Sequence, residues 1–379
     1  MGKPKVLVMV DWFEPGFKAG GPIRSAVNFV YQLKEELDIY VLTSDRDLGD
    51  VKPYPGINTD QWTSKDGYSI FYAQPASLNW KFIGAQIKKI NPSAIYLNSM
   101  FSLYFTIYPL LMKKSRMVSS SIVLAPRGML RESALSYKNS KKKIFINVFR
   151  ILGIQKLIRF HATDQTEVND IRKNFGEGMQ IELMANLPGS QKEFIAPPYK
   201  YKGQLSIVFI GRIHPIKNLD YLLARLSNIE ENVSLTAIAP VEDKFYWEKC
   251  NQMIRQMPSN ISVTHLGDVP HHEIANIIRE NHIFALPTSG ENFGHSIFEA
   301  LSNGRPVIIS DQTPWKGLKG NMAGMDISLK NEEQFEEALS RFAKMDNDEF
   351  MTWCTSSWKF CHDFIEKTNL KPQYLKIFS

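Results

Sequence analysis

Short apolar runs alternate with segments long enough to form helices, and this alternation occurs twice along the chain. In the first half the runs are VLVMV, IYVLTS, SIFYA, AIYLN, SIVLAPR and RFHATD, and in the second half they are SIVFIGR, SLTAIAP, ISVTHLG, HIFALP and PVIIS. Continuous apolar runs separated by helices indicate a parallel sheet that is covered on both faces. The pattern therefore predicts an α/β protein with two Rossmann-like, doubly wound domains.

A stretch rich in proline, glycine and polar residues, NLPGSQKEFIAPPYKYKGQ, separates the two halves. A chain of 379 residues is also too long for one ordinary core. We predict an N-terminal domain over residues 1–188, a linker over 189–204, a C-terminal domain over 205–349 and a helical tail over 350–379. Ligands of such sheets bind beyond the carboxyl ends of the strands, so we expect the domains to face each other across a cleft.

The composition excludes several classes of protein. The apolar fraction of 44% and the charged fraction of 22% are those of a globular protein. A net charge of +6 favours anionic partners such as phosphate compounds or an acidic membrane surface. Because no arginine-rich patch with a nucleic-acid reading motif is present, we expect no nucleic-acid partner. The three cysteines have neither metal-type spacing nor a disulfide framework, which favours a reducing compartment.

Two features bear on the membrane. The longest strongly apolar segment, MFSLYFTIYPLLM, is too short to span a bilayer, and no N-terminal signal is visible. We therefore expect a cytoplasmic protein that is at most peripheral on the inner face of the membrane. The stretch from Lys138 to Phe160 mixes lysines with aliphatic and aromatic residues. It has two interpretations, a face for anionic lipid headgroups or an amphipathic helix with a solvated basic face.

The stretch ALPTSGENFGHSIFEALSNGRPVIIS reads as a strand, a loop and a helix. The amides of Asn292, Phe293 and Gly294 would lie at the helix N-terminus, where free N–H groups and the helix dipole favour a phosphate. Glu291 precedes the helix and Glu299 lies within it, roughly 12 Å away at the helical rise. That distance is close to the length of a nucleotide sugar from its ribose to its sugar ring. One acid could accept hydrogen bonds from the ribose hydroxyls and the other from the sugar hydroxyls. An ordinary acidic first turn is the alternative.

The segment IVFIGRIHPIKNLDYLL places Arg212 and Lys217 in a loop between a strand and a helix. Two cations beyond a strand end can clamp a diphosphate and neutralise the charge that develops on it as it leaves. Either cation alone could equally be a solvated loop residue. Together with the two acids, the pair favours a binding site for a nucleotide diphosphate.

Two segments, FIGRIHPIKNLDYLL and LPTSGENFGHSIFEALSNGRPVIISD, closely resemble the retaining glycosyltransferases of family four, which have the GT-B fold. The resemblance is dense in the second half of the chain and thin in the first. It implies that Arg212 and Lys217 hold the diphosphate of the sugar donor. It also implies that the backbone around Phe293 and Gly294 receives the phosphates. The resemblance further implies that the N-terminal domain binds the acceptor, that the C-terminal domain binds the nucleotide sugar, and that the C-terminal tail packs back on the N-terminal domain.

The resemblance assigns roles to further residues. It implies that Glu291 lies near the donor sugar and that Glu299 contacts the nucleotide ribose. In the first half, DWFEPGFKAGGPIRSAVNFV resembles the glycine loop of the family, in which Gly20 and Gly21 either contact the donor phosphates and acceptor or only turn the chain. LAPRGMLRESAL carries Arg127 where many relatives have a histidine on the donor sugar. Arg127 could replace that contact, serve an acidic acceptor, or only bind phosphate.

The resemblance implies that a sugar is transferred, with retention of configuration, from a nucleotide-diphosphate sugar to a hydroxyl of a glycan or lipid-linked glycan in polysaccharide synthesis. The candidate catalytic residues are Glu291, Arg212, Lys217 and Arg127. We expect no metal and no other cofactor, because the cations and the helix dipole can stabilise the diphosphate. The alternatives are another enzyme of this fold, such as an epimerase or a phosphorylase, and a non-catalytic relative that binds nucleotides or glycans.

Overall fold

The computed structural model describes residues 2–132, 135 and 139–378, without the side chains of 139–141. These residues form two compact units, one of Met1–Leu187 with Asn369–Ser379 and one of Pro188–Thr368. Each unit is built around its own sheet. The predicted α/β class with two Rossmann-like domains is therefore confirmed.

The first unit contains an eight-stranded sheet with the spatial order β3-β4-β2-β1-β5-β6-β7-β8. Neighbouring strands are parallel except for the pair of β3 and β4. The strand order reverses beside β1, which is where ligands bind in doubly wound sheets. The strands are β1 (Lys5–Met9), β2 (Asp38–Ser44), β3 (Trp62–Lys65), β4 (Tyr68–Ala73), β5 (Ala94–Leu97), β6 (Ser121–Leu124), β7 (Arg159–Ala162) and β8 (Ile181–Leu183).

Within the described residues, five α-helices of the first unit precede the boundary with the second. The helix expected within the segment MFSLYFTIYPLLM is divided, because a π-helical turn over Leu103–Ile107 comes before α3. Pro109 in the first turn of α3 has no N–H to donate to the preceding turn, which accounts for the break. The helices are α1 (Gly21–Leu33), α2 (Trp80–Ile90), α3 (Tyr108–Lys114), α4 (Asn139–Ile151) and α5 (Gln165–Phe175).

The second unit contains a six-stranded parallel sheet with the order β11-β10-β9-β12-β13-β14. Its strands are β9 (Gln204–Ile210), β10 (Asn232–Ile238), β11 (Ile261–Gly267), β12 (Ile283–Leu286), β13 (Val307–Ser310) and β14 (Gly324–Ile327). Its helices are α6 (Leu219–Leu226), α7 (Lys244–Arg255), α8 (His271–Arg279), α9 (His295–Ser302), α10 (Glu332–Lys344) and α11 (Asn347–Thr368). Since β9 and β12 are adjacent and parallel, the loops that follow them leave the sheet at the same edge.

Burial follows the hydrophobic pattern of the sequence. Every residue of β12 and β13 is buried, as expected for strands with helices on both faces. In α9 the predicted apolar face of Ile297, Phe298 and Leu301 is buried in the core of the second unit. This packing fixes the orientation of α9, and with it the direction of the loop at its N-terminus.

The residues predicted as linker and tail pack mainly against the second unit. The indole N–H of Trp358 in α11 donates to the carbonyl of Lys192 at 2.7 Å, and α11 packs against α9. The last helix, α12 (Leu370–Phe378), instead belongs to the first unit. There the Tyr374 hydroxyl donates to the carbonyl of Ala185 at 3.1 Å.

Among the helices that the structure describes, none combines the length and the apolar character needed to cross a bilayer.

Candidate active site

Hydrogen bonds join the loop after β9 to the loop after β12. The Ile216 carbonyl accepts from the Ser289 amide at 2.7 Å and from the Thr288 hydroxyl at 3.0 Å. The Asn218 side-chain amide donates to the Pro287 carbonyl at 2.8 Å and to the Ser289 hydroxyl at 2.9 Å. The two segments that the sequence singled out, which lie 72 residues apart at Ile216 and Thr288, therefore meet at one edge of the second sheet.

Lys217 and Glu291 form an ion pair within these loops. The ammonium of Lys217, at the end of the single helical turn Pro215–Lys217, contacts the Glu291 carboxylate. Both side chains are 15% exposed. The lysine stem lies against Gly211, since a Cβ there would be 3.5 Å from the Lys217 Cγ. The structure thus places a predicted phosphate-binding cation in direct contact with the acid that the resemblance assigns to the donor sugar.

Arg212 is directed to a different carboxylate. Its Nη1 lies 2.6 Å from Glu242 Oε2, and both side chains are 44% exposed. Glu242 follows the single bridge between Ile213 and Val241, beyond the end of β10. A half-exposed ion pair is worth only about 0–1 kcal/mol. An anion with better geometry can therefore compete with Glu242 for the guanidinium.

The N-terminus of α9 presents backbone amides. Gly294 caps the helix with a φ of +75°, in the left-handed region that glycine adopts freely. A Cβ on Gly294 would also lie 2.8 Å from Ile297 Cδ1. Phe293 is buried, and its carbonyl accepts from the Trp315 indole at 2.5 Å. Within the described residues the amides of Asn292, Phe293 and Gly294 have no hydrogen-bond acceptor, so they are available to an anion.

Glu299 lies inside α9 and is contacted by a histidine that the sequence analysis did not select. The Nε2 of His271, the first residue of α8, lies 2.8 Å from Glu299 Oε1. The glutamate side chain is 23% exposed and the histidine side chain 36%. No local signal in HHEIAN could reveal this contact, because it joins residues that are 28 positions apart on two successive helices.

Arg127 lies in the first unit and is held by neutral groups. It follows β6 with a φ of +55°. Its Nε and Nη2 both donate to Asn98 Oδ1, at 3.2 and 2.7 Å. Its Nη2 also donates to the Tyr96 hydroxyl at 2.7 Å, and its Nη1 donates to the side-chain oxygen of Asn186. In the part of the chain that the structure describes, no carboxylate pairs with Arg127. The guanidinium is thus oriented by neutral groups, and the nearby buried carboxylate of Glu167 accepts instead from the Gly128 amide at 2.6 Å.

A buried histidine extends the hydrogen-bond network of Arg127. Burial lowers the pKa of His161 to about 3, so its ring is neutral near pH 7. Its Nε2 donates to the Met184 carbonyl at 2.9 Å, and its Nδ1 accepts from the Tyr96 hydroxyl at 2.7 Å. The Tyr96 oxygen can then accept from Arg127. A continuous hydrogen-bond chain therefore fixes Arg127 against the sheet.

Gly20 and Gly21 lie at the start of α1, also in the first unit. Gly20 has a φ of +64° and precedes the helix, and Gly21 is its first residue. The preceding loop is held by Asp47, whose carboxylate accepts from the amides of Phe17 at 2.7 Å and Lys18 at 3.1 Å. The left-handed backbone explains the choice of glycine at position 20.

An open groove of about 710 Å³ in the second unit lies away from these residues. Its lining includes Glu230, Glu231 and Glu336, and it adjoins the start of β10 at Asn232. Ligands of parallel sheets bind at the carboxyl ends of the strands, whereas this groove lies at an amino end. It contains none of the predicted site residues.

Comparison with known proteins agrees with this architecture. Residues 204–345 match the family model for glycosyl transferases group 1. The fold superposes on HepE of Anabaena in complex with UDP and glucose with a TM-score of 0.66, at 12% identity over 99% of each chain. It superposes on WaaG, a glycosyltransferase involved in lipopolysaccharide biosynthesis, with a TM-score of 0.63, at 12% identity over 99% of each chain. The protein has the GT-B fold.

Curated relatives of this GT-B protein match part of their length. The chain is 23% identical over 224 residues to TuaC of Bacillus subtilis, which is named as a glycosyltransferase of teichuronic acid biosynthesis, covering 59% of this chain and 47% of TuaC. It is 21% identical over 211 residues to the O-antigen chain mannosyltransferase RfbU of Salmonella typhimurium, covering 53% of this chain and 58% of RfbU. The chain therefore spans about half the length of these two relatives.

Proposed function

We propose that this GT-B protein is a retaining glycosyltransferase of family four. It transfers a sugar from a nucleotide-diphosphate sugar to a hydroxyl of a glycan or lipid-linked glycan during polysaccharide or lipopolysaccharide-type synthesis. One observation carries the proposal. Lys217, Glu291 and the N-terminus of α9 lie together at the edge of the second sheet where β9 and β12 end. The match of residues 204–345 to glycosyl transferases group 1 and the names of TuaC and RfbU support it.

The donor diphosphate binds to the cations and amides of this edge in our proposal. Arg212 exchanges Glu242 for one phosphate, and Lys217 shifts from Glu291 towards the other. The amides of Asn292, Phe293 and Gly294 complete the anion site. HepE, which shares the fold, has been crystallised with UDP-glucose, and this supports a nucleotide sugar as the donor. The negative charge on the departing diphosphate is greater in the transition state than in the bound donor, so these groups accelerate the reaction as well as bind the donor.

The two acids divide the rest of the donor between them. Glu291 accepts hydrogen bonds from the sugar hydroxyls, and Glu299 accepts from the ribose hydroxyls while His271 orients its carboxylate. In the transfer step the bond from the anomeric carbon to the phosphate oxygen breaks and its electron pair leaves with the diphosphate. The acceptor oxygen bonds to the anomeric carbon from the same face, and its proton passes to the departing diphosphate. No protein nucleophile takes part.

The first unit supplies further contacts in this proposal. Gly20 and Gly21 contact the donor phosphates or the acceptor. Arg127 binds an anionic group, either a phosphate or an acidic acceptor, because neutral partners hold its guanidinium and leave its charge for a ligand. We propose that the cations and the dipole of α9 stabilise the diphosphate without a resident metal ion.

One experiment separates this proposal from its alternatives. The full chain is incubated with a panel of nucleotide sugars, with and without lipid-linked or free glycan acceptors, in buffer containing EDTA. We expect nucleotide diphosphate release that requires the acceptor, together with a product whose anomeric configuration by NMR equals that of the donor. An altered sugar without acceptor would indicate an epimerase, and a requirement for inorganic phosphate would indicate a phosphorylase. Binding without turnover would indicate a non-catalytic relative.

A further inference from the structure

Helix α4 presents a column of apolar side chains to solvent. Ile144, Val148 and Ile151 are 62%, 47% and 83% exposed. They are spaced four and three residues apart, which places them on one face of the helix. Leu157, which is 40% exposed, follows in the short helical turn that packs against α4. We call these four residues the apolar stripe. Single exposed apolar residues are common, but a contiguous set marks an interaction surface.

The opposite face of α4 anchors the helix to its unit. Ile146 and Phe149 are 5% and 2% exposed and belong to the core of the first unit. The Phe149 ring contacts that of Phe175 with centroids 5.2 Å apart. Because this face is already packed, the helix cannot rotate to bury the apolar stripe. The stripe therefore points outward as a fixed feature of the fold.

The charges of the sequence stretch that carries the apolar stripe have one sign. From Ser133 to Thr163 the sequence has no aspartate or glutamate. The same stretch has these basic residues: Lys138, Lys141, Lys142, Lys143, Arg150, Lys156 and Arg159. Among those whose side chains the structure describes, Lys143 and Arg150 on α4 and Lys156 beside Leu157 are exposed. A partner that matches this surface must carry negative charge for the basic side chains. It must also offer an apolar region beside that charge, in which the apolar stripe can be buried.

We propose that this face docks on an anionic phospholipid bilayer. The apolar stripe enters the boundary between headgroups and acyl chains, and Lys143, Arg150 and Lys156 contact the lipid phosphates. Apolar insertion combined with basic side chains is how amphipathic helices bind in the plane of a membrane. A protein partner would suit the apolar stripe, but the absence of acidic residues across the whole stretch favours a lipid surface. The proposal does not depend on the proposed sugar transfer.

The test is sedimentation of the full chain with phospholipid vesicles. We expect binding to phosphatidylcholine vesicles that contain phosphatidylglycerol, little binding to pure phosphatidylcholine, and a decrease as salt rises. Ile144→Ser with Ile151→Ser should lower the partition coefficient about tenfold or more by removing buried apolar area. Lys143→Gln with Arg150→Gln should lower it about fivefold for each charge removed.

Matched controls distinguish the face from general surface properties. Val51→Ser removes an apolar side chain that is 85% exposed elsewhere in the first unit, and Lys81→Gln with Lys88→Gln removes two exposed charges from α2. Both controls should bind vesicles like the wild type. The proposal would be overturned if the wild type did not sediment with the anionic vesicles at low salt. It would also be overturned if the Ile144/Ile151 variant bound these vesicles as strongly as the wild type. A dimer in solution that only this variant dissociates would overturn it as well. Nucleotide binding, measured separately, should be unchanged in all variants.

Discussion

At the scale of single residues, charged groups of the site are in contact with one another. The pairs are Lys217 with Glu291, Arg212 with Glu242, and His271 with Glu299. In each pair at least one member is a group that we propose as a donor ligand. The Arg212–Glu242 pair is half exposed, so Arg212 can exchange its partner at little cost. The Lys217–Glu291 pair is only 15% exposed, so a ligand that separates the two charges must replace the contact of each.

The first prediction concerns the proposed diphosphate ligands. Arg212→Ala and Lys217→Ala should each lower the turnover number roughly a hundredfold, as expected when one preorganised charge contact is lost from the transition state. The measurement is sugar-transfer kinetics on purified, folded variants. Lys249→Ala is a matched control, because Lys249 forms an ion pair with Asp220 on α7 and α6 and is not part of the site. Near-wild-type rates in both site variants would remove these cations from the mechanism.

The second prediction separates the two acids. Glu299→Gln should weaken the binding of both the free nucleotide diphosphate and the nucleotide sugar, because Glu299 contacts the ribose in our proposal. Glu291→Gln should leave binding of the free nucleotide nearly unchanged while sugar transfer is lost. A hydrogen bond to a charged group contributes about 1.5–3 kcal/mol, which calorimetry resolves. Equal loss of nucleotide affinity in the two variants, or none in either, would contradict this division.

Calorimetry can also assign the role of His271. If it orients Glu299, then His271→Ala should weaken nucleotide binding in the same direction as Glu299→Gln, and the double variant should lose no more than Glu299→Gln alone. Additive losses would show that His271 acts on the nucleotide independently of Glu299.

At the scale of elements, one buried arginine connects three segments of the second unit. Arg305 is completely buried, and its hydrogen bonds to the described residues all go to backbone carbonyls. Its Nε donates to the carbonyl of Asn281, just after α8, at 2.9 Å, and its Nη2 donates to that of Arg279, the last residue of α8, at 2.8 Å. Its Nη1 donates to the carbonyl of Asn303, just after α9, at 2.9 Å. The same Nη1 lies 3.2 Å from the carbonyl of Ile195. Arg305 therefore ties the chain entering the unit to the C-terminal ends of α8 and α9.

The third prediction follows from these bonds. Arg305→Met should lower the free energy of unfolding of the second unit by about 3–5 kcal/mol, because it leaves several buried carbonyls without a donor. Arg255→Met is the control, since Arg255 is exposed on α7. The measurement is urea unfolding followed by tryptophan fluorescence and circular dichroism, with a transition fitted for each unit. A change below about 1 kcal/mol would show that water replaces the arginine at these carbonyls.

The same scale shows which elements the sequence could predict. All the strands predicted from apolar runs are present, and these include the buried central strands of both sheets. The unpredicted strands are β3, β8 and β14, each at an edge of its sheet. Their sequences, WTSK, IEL and GMDI, are short and contain polar residues, so they lack a continuous apolar run. Two of the three residues of β8 are also exposed.

At the scale of the whole molecule, stability should depend on pH through buried histidines. Burial lowers the pKa of His161 to about 3 and that of His282 to about 4, below the ordinary value of 6.5. Between these values the unfolded chain binds more protons than the folded one. The contribution of the neutral histidines is therefore complete above about pH 6.5 and is lost as the pH falls towards the folded pKa.

The fourth prediction states the size of this effect. As the pH falls from about 6 to about 4, each of the two histidines should lower the free energy of unfolding by up to about 1.4 kcal/mol per pH unit. Urea unfolding at several pH values measures it. His161→Gln should flatten the pH profile of the first unit, whereas His272→Gln, which changes a histidine that is 80% exposed, should not. The same slope in wild type and His161→Gln would contradict the assignment.

By itself, the sequence determined the features that depend on neighbouring residues. Apolar periodicity specified two sheets with their helices, and local spacing placed Arg212, Lys217, Glu291 and the turn at Gly294 beyond strand ends. Only the tertiary structure decided which loops meet. It paired Lys217 with Glu291, which lies 74 residues away, and His271 with Glu299, which lies 28 residues away on the next helix.

The tertiary structure also divided the predicted tail between the two units and left the apolar stripe exposed to solvent. It connected Arg127 through Tyr96 to His161, a chain that spans three strands of one sheet. The physical reason is common to all these features. A hydrogen bond, an ion pair or the burial of a helix face depends on the order of strands in space, whereas the pattern of a sequence reports only on residues a few positions apart.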